Sequence, residues 1–323
     1  MKTPKRLKPF TILILILFLA NFLSSPARMD EKAESSANIL KNMLGGSPER
    51  NFAVVTRDDI PVDTSVIISP AIKEQMPIVT VSKKGLDNLT KEMIEKINPK
   101  KILIVGGPEA VPPAIEKTLL NMGYKTTRIG GEDRYETAAL VAEKYWGGAA
   151  ENVLLVDGEQ PALSLVSTPL AHKLGAPILY VKKEGIPETT LKTLRSLKPK
   201  RCIIIGATGL EEELLGVCGE VESLSGETPG ETSVLVSIET RKPLRPRAVA
   251  IFNVENPLTY NAAQFAVLKG GTVLLVDSKG VPEVVAEYLH RNRFSLRWIV
   301  FTAGIPQKVK DLVVDLTKPP GAE

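Results

Sequence analysis

The sequence is poor in the residues from which most chemistry is built. Among its 323 residues there are two cysteines and two histidines, and aromatic side chains make up 5%. So few cysteines exclude a disulfide-stapled scaffold, and every domain must rest on its own apolar core. Cys202 lies in a strand-like run and Cys218 follows sixteen residues later; one disulfide and two buried thiols fit that spacing equally well. His172 and His290 are isolated on helical stretches, without the clustered Cys, His or carboxylates that a metal needs. A satisfied imidazole explains each better than a catalytic base. Ser164 and Ser167 lack the G-x-S-x-G elbow that exposes a nucleophile. Neither G-x-G-x-x-G nor the Walker pattern occurs, so no nucleotide cradle is expected. Asp58 and Asp59 are adjacent loop acids and read as solvated surface rather than a glycosidase pair. No catalytic residue, cofactor or metal is assigned, and an enzyme is not expected.

Most of the chain also lacks an excess of either charge. The formal net charge is +4, from 41 Lys+Arg against 37 Asp+Glu. Residues 1–27 hold Lys2, Lys5, Arg6 and Lys8 and no acid, so 41 less these four leaves 37 cations against 37 anions. Elsewhere basic residues are interleaved with acids, and no stripe suggests nucleic acid. The basic start leads into an apolar run, Phe10 to Leu23, whose only polar members are Thr11 and Asn21, and then into Ser25-Pro26-Ala27. That order is the pattern of an export signal with small residues at its cleavage site. A helix over the run would span about 21 Å, short of the ~30 Å hydrocarbon core. A cleaved leader over residues 1–27 is the expectation, and an uncleaved anchor is its alternative. No cysteine follows the run, so a lipoprotein anchor is not supported. The protein is expected to be secreted or held at the cell surface, meeting a membrane only through this segment if it stays uncleaved.

What the chain does have is internal repetition. Pro77-Ile78-Val79-Thr80-Val81 recurs as Pro177-Ile178-Leu179-Tyr180-Val181, Gly85 as Gly185, and Ile102-Leu103-Ile104-Val105-Gly106 as Cys202-Ile203-Ile204-Ile205-Gly206, always at an offset of 100. A weaker third copy sets Gly280-Val281-Pro282-Glu283 against Gly185-Ile186-Pro187-Glu188 at an offset of 95. Three units of just under 100 residues tile the sequence after the leader, as 28–127, 128–225 and 226–323. The tiling leaves no stretch of this sequence for a separate catalytic domain.

Within a unit, short continuous apolar runs such as Val153 to Val156 and Cys202 to Ile205 read as strands buried on both faces. Between them lie helical stretches. Thr137-Ala138-Leu140-Val141-Lys144-Tyr145 and Thr190-Leu191-Leu194-Leu197 carry the spacing of one buried helix face. Alternation of the two gives βαβ units, so the fold class is α/β, with three tandem doubly wound repeats. A sheet of this kind binds ligands at the carboxyl ends of its strands, where Asp157-Gly158-Glu159 and Gly106-Gly107 fall. One segment stands apart: Arg128-Ile129-Gly130-Gly131-Glu132-Asp133-Arg134-Tyr135-Glu136-Thr137-Ala138 puts two arginines, acids and an aromatic at a glycine turn feeding a helix. Asp133 is placed to cap that helix. Arg134 beside exposed N–H groups suits an anion or a hydroxyl-rich ligand. An Arg–Asp clamp between successive units is the structural alternative.

In these motifs the sequence resembles the cell wall binding repeat 2 family. The likeness rests on R-x-x-G-x-D-R-Y-x-T-A at Arg128 to Ala138, on Asp157-Gly158-Glu159 followed by Ser164 and Pro169-Leu170-Ala171, and on Lys173-Leu174-Gly175-Ala176-Pro177-Ile178-Leu179. The resemblance implies Rossmann-like or flavodoxin-like modules in a triangular pseudo-trimer, attached non-covalently to an envelope glycan or anionic cell-wall polymer. On it, Arg128, Asp133, Arg134, Tyr135, Thr137, Glu159 and Asp63 are the candidate polymer contacts. The Asp-Arg-Tyr motif is missing at Glu34-Ser35-Ser36 and at Gly226-Glu227-Thr228-Pro229-Gly230. The family's acid falls on Leu163 in the second unit, and Asp63 fills it in the first. The alternative function is a structural or interaction protein that keeps the fold without binding glycan.

Overall fold

The chain runs through three α/β units in succession. The structure, a computed structural model, describes residues 51–318 except 184, 258 and 259. The leader expected over 1–27 and the opening of the first unit, including Glu34 to Ser36, lie outside the described residues. The first unit contains β1 (Phe52–Arg57), α1 (Val62–Lys73), β2 (Ile78–Val81), α2 (Asn88–Ile97), β3 (Lys101–Val105), α3 (Pro113–Asn121) and β4 (Lys125–Ile129). The second contains α4 (Arg134–Trp146), β5 (Asn152–Asp157), α5 (Pro161–Leu174), β6 (Ile178–Val181), α6 (Glu188–Leu197), β7 (Arg201–Ile205), the single turn α7 (Glu211–Leu214) and β8 (Glu220–Ser223). The third contains α8 (Pro229–Arg241), β9 (Ala248–Asn253), α9 (Tyr260–Leu268), β10 (Thr272–Val276), α10 (Glu283–Asn292), β11 (Trp298–Phe301) and α11 (Gln307–Thr317).

Each unit has its own parallel sheet, ordered β2-β1-β3-β4, β6-β5-β7-β8 and β10-β9-β11. The sequence offset of 100 reappears as strand register. Val54 pairs with Ile78 and Leu154 with Ile178, while Ala53 pairs with Ile102 and Val153 with Cys202. In each sheet the chain leaves the central strand for one neighbour and returns to the opposite side, which opens a crevice at the carboxyl ends of β1 and β3 and of β5 and β7.

The units meet through their inner helices. The helices α1, α5 and α9 pack on one another, and α5 also packs on α8 and β10 of the third unit. A helix surrounded by protein must be apolar or small all round. That is the character of α5, PALSLVSTPLAHKL, which buries Ala162 through Ala171 without a break. Polar groups in this centre find partners: Ser65 Oγ lies 2.9 Å from Ser164 Oγ, and the Tyr180 hydroxyl donates to the Val62 carbonyl at 2.7 Å. The outer helices α2 and α6 instead bury one stripe, Thr90, Met93 and Ile94 in α2 and Thr190, Thr193, Leu194 and Leu197 in α6.

One local reading changes and one open alternative closes. Helix α4 buries Thr137, Ala138, Ala139, Val141 and Ala142, whereas Leu140 is half-exposed and Lys144 exposed. It packs on both α6 and α1, so small residues over a wider arc form its contact face rather than the expected stripe. The cysteines are bridged: Cys202 and Cys218 form a disulfide with Cα atoms 5.9 Å apart. It ties β7 to the loop before β8, where α7 is one turn long instead of the nine-residue α3 of the first unit.

Candidate functional site

The glycine turn between β4 and α4 is built by contacts that only glycine permits. A side chain on Gly130 would run into the backbone of Gly106, and one on Gly107 into the Gly131 carbonyl. The turn therefore lies flat against the loop after β3. Arg128, paired with Ile104 in the first sheet, locks the two together. Its guanidinium donates to Glu116 Oε2 at 2.8 Å from Nη2, and from Nη1 to the carbonyls of Gly106 at 2.8 Å and Val111 at 3.0 Å. Nε reaches the same Glu116 oxygen at 3.2 Å, so the contact is charge-assisted and fixes the guanidinium plane.

The start of α4 is capped three times over. Asp133 Oδ1 accepts the Glu136 amide at 2.8 Å, Glu136 Oε2 accepts the Glu132 amide at 2.7 Å, and the buried Thr137 Oγ1 accepts the Gly131 amide at 3.1 Å. These bonds satisfy amides at the turn and the helix start that the helix itself leaves without partners.

Arg134 and Tyr135 take no part in the cap. The Arg134 guanidinium donates to the Gly158 carbonyl in the loop after β5. Tyr135 lies against Gly158, and the exposed Lys182 ammonium stands 5.5 Å from its ring centroid. Beneath them, from the first unit, Asp63 is 4% exposed in the first turn of α1, with its carboxylate against Gly106. Burial pushes Asp63 up to about 6, with Arg57 and Arg134 pulling the other way. Asp157 is buried as well, accepting from the Glu159 amide at 2.9 Å and from Gln160 Nε2 at 2.7 Å, and it leaves the Glu159 side chain exposed on the rim. A seam between the first and second units thus has a carboxyl floor at Asp63, walls of Arg134 and Tyr135, and a rim of Glu159 and Lys182. It lies at the carboxyl ends of β1 and β5. Among the described residues there is no cluster of three metal-ligating side chains, and no helix is long and apolar enough to cross a membrane.

Comparison with known proteins gives the second unit a family. Residues 128–213 match the model of cell wall binding domain 2 (CWB2), a span that opens on Arg128 and closes beyond β7. The second unit carries a CWB2 domain. An uncharacterized protein of Pyrococcus abyssi is 31% identical over 156 residues, covering 47% of this chain and 47% of its own length. The amidase enhancer of Bacillus subtilis is 26% identical over 294 residues, 87% of this chain and 39% of its own. The chain thus spans less than half the length of either relative. Cwp6 from Clostridium difficile shares the fold, with a TM-score of 0.77 at 18% identity over 89% of this chain and 47% of that one.

A second copy of the turn separates the CWB2 motif into two parts. At the start of α8, Thr228 Oγ1 accepts the Glu231 amide at 3.2 Å, Glu231 Oε2 accepts the Glu227 amide at 2.8 Å, and Thr232 Oγ1 accepts the Gly226 amide at 2.9 Å. The whole cap is there, but Pro229 and Gly230 stand where the CWB2 domain has Arg134 and Tyr135. Gly230 packs instead against Pro282. Asp133, Thr137 and, by its carbonyl clamp, Arg128 hold the turn. Arg134 and Tyr135 are surplus to that task. Sequence reasoning passed over Gln160 and Lys182, which complete the seam. Gln160 stands beside the Asp157-Gly158-Glu159 loop, whereas Lys182 is brought in by the βαβ topology and carries no local signal.

Proposed function

We propose that this CWB2-containing protein is exported and attaches non-covalently to an envelope glycan or anionic cell-wall polymer, with the seam at Asp63, Arg134, Tyr135 and Glu159 as its contact. Arg128, Asp133 and Thr137 serve the same site by holding the turn. The observation that carries the reading is the surplus of Arg134 and Tyr135: the cap at α8 is complete without them, so the cap is not what they are for. The guanidinium keeps donors beyond the one given to Gly158, and a partly open Tyr ring offers a face for a sugar. The Cys202–Cys218 disulfide supports export, since such bridges persist in oxidising compartments. The similarity to the amidase enhancer supports a wall-associated role, and Cwp6 shares the fold. Sedimentation of the purified protein with isolated envelope material tests the proposal: retention that falls as salt is raised supports an anionic polymer. Protein that stays in the supernatant at low salt overturns it.

The structural alternative has one observation in its favour, the bond from Arg134 to the Gly158 carbonyl. It places Arg134 as a brace within the second unit and predicts that replacing it lowers stability and leaves retention alone.

A further inference from the structure

The third unit differs from the second where its first helix ends. The helices α4 and α8 are both thirteen residues long, and α4 ends on Trp146, whose indole donates to the Gly175 carbonyl at 2.6 Å, followed by the left-handed Gly147. Helix α8 ends on Arg241 and runs into Lys242-Pro243-Leu244-Arg245-Pro246-Arg247, a loop with four cations in seven residues counted from Arg241, and no acid. Between α8, this loop and α10 lies a groove of about 570 Å³. Its walls are apolar: Leu235 and Ile238 come from α8, Val284 and Tyr288 from α10, and Leu244 from the loop. Leu235, Ile238 and Leu244 are exposed large hydrophobics, Leu244 to 68%.

The charges on its rim are unevenly satisfied. Glu287 pairs with Arg291 at 3.0 Å, and Lys242 with Glu239 at 3.4 Å. Arg241 and Arg245 meet only main-chain carbonyls, Arg245 at 3.5 Å and Arg291 at 2.8 Å respectively, and neither pairs with a carboxylate among the described residues. Arg241 Nε is buried without a hydrogen-bond partner among the described residues. Two unpaired guanidinium groups beside an open apolar trough call for a ligand that is anionic at one end and hydrocarbon at the other. A plain polysaccharide would leave the trough wet, and an inorganic anion would leave it empty.

We propose that the α8–α10 groove binds an anionic lipid, with the phosphate on Arg241 and Arg245 and the start of an acyl chain along Ile238, Leu244 and Tyr288. The site is separate from the unit 1–unit 2 seam and does not rest on the polymer reading. Octyl phosphate below its micelle concentration is the soluble probe, followed by isothermal titration calorimetry. Vesicles of phosphatidylglycerol and phosphatidylcholine, with pure phosphatidylcholine as the control, are the membrane probe. Octyl phosphate is expected to bind at least about tenfold more tightly than inorganic phosphate or octyl glucoside, because only it satisfies both ends. Arg241→Ala with Arg245→Ala is expected to lose about tenfold or more, and to abolish pelleting with the anionic vesicles. Ile238→Ser, on a partly exposed position where folding is preserved, is expected to weaken octyl phosphate alone and leave the melting temperature in place. Equal binding by the double variant, inorganic phosphate matching octyl phosphate, or pelleting with phosphatidylcholine alone would overturn the proposal. Binding of octyl phosphate without pelleting on anionic vesicles would overturn the lipid assignment. Retention of the double variant on lipid-free envelope polymer, measured alongside, reports on the seam independently.

Discussion

Arg134 donates to the Gly158 carbonyl while its charge faces Asp63 across the boundary between the first and second units. One side chain therefore bridges the loop after β5 and the carboxyl end of the first sheet.

The turn itself is held by its caps. Asp133→Ala and Thr228→Ala should each cost about 1 kcal/mol, the usual worth of a helix N-cap. Thr137→Val removes the acceptor of the Gly131 amide in a buried setting and should cost about 1–3 kcal/mol. Urea unfolding with the slope unchanged measures all three, and envelope retention of the folded fraction should stay at the wild-type level for Thr228→Ala.

Asp63 makes stability depend on pH. Burial raises its folded-state pKa from 3.8 to about 6. Between those values the folded protein holds a proton that the unfolded chain has released, so stability falls as pH rises through that window and is level above it. The full effect is on the order of 3 kcal/mol. Asp63→Asn mimics the protonated acid, so it should melt with the wild type at about pH 4 and above it at about pH 7. Melting curves across pH decide this; parallel pH profiles for the two proteins would contradict it.

The disulfide should matter most to the second unit. Cys202 and Cys218 close a short loop, for which chain entropy gives about 3 kcal/mol. Reduction, or Cys202→Ala with Cys218→Ala, should lower the melting temperature by several degrees. Hydrogen exchange should locate the loss at β7 and the loop that leads into β8, because the bridge ties those two together.

Much of this architecture could be read from sequence because strands buried on both faces are written as continuous apolar runs. Ile102 to Val105 and Cys202 to Ile205 needed no periodicity to be recognised, and their offset of 100 survives as register. The inner helices were harder. Small and apolar residues all round α5 mark a helix with protein on every side, but a single stripe is the pattern that sequence reading looks for. The same bias narrowed the face of α4, where Ala139 and Ala142 join the expected Thr137, Ala138 and Val141 while Leu140 lies half-exposed. At the site, the motif from Arg128 to Ala138 was legible as a unit, but its division into a cap and a surplus Arg134–Tyr135 pair was not. That division needed the geometry at Thr228 and Thr232. The basic loop from Arg241 to Arg247 was hidden by an overall balance of 37 cations and 37 anions beyond residue 27.

Arg128 gives a control for the ligand side of the argument. Its donors are spent on Glu116 and on the carbonyls of Gly106 and Val111. Arg128→Ala should lose about 3 kcal/mol by leaving those groups unpaired, and because it only holds the turn that carries Arg134, the protein that remains folded should keep more of its retention on envelope material than Arg134→Ala does.

The most direct measurement is the retention of Arg134→Ala on isolated envelope material, paired with its melting temperature. If the seam binds an anionic polymer, retention should drop by about tenfold at low salt, the value of one lost charge-assisted contact, while the melting temperature changes little. Wild-type retention together with a lowered melting temperature would contradict the account and make Arg134 a brace alone.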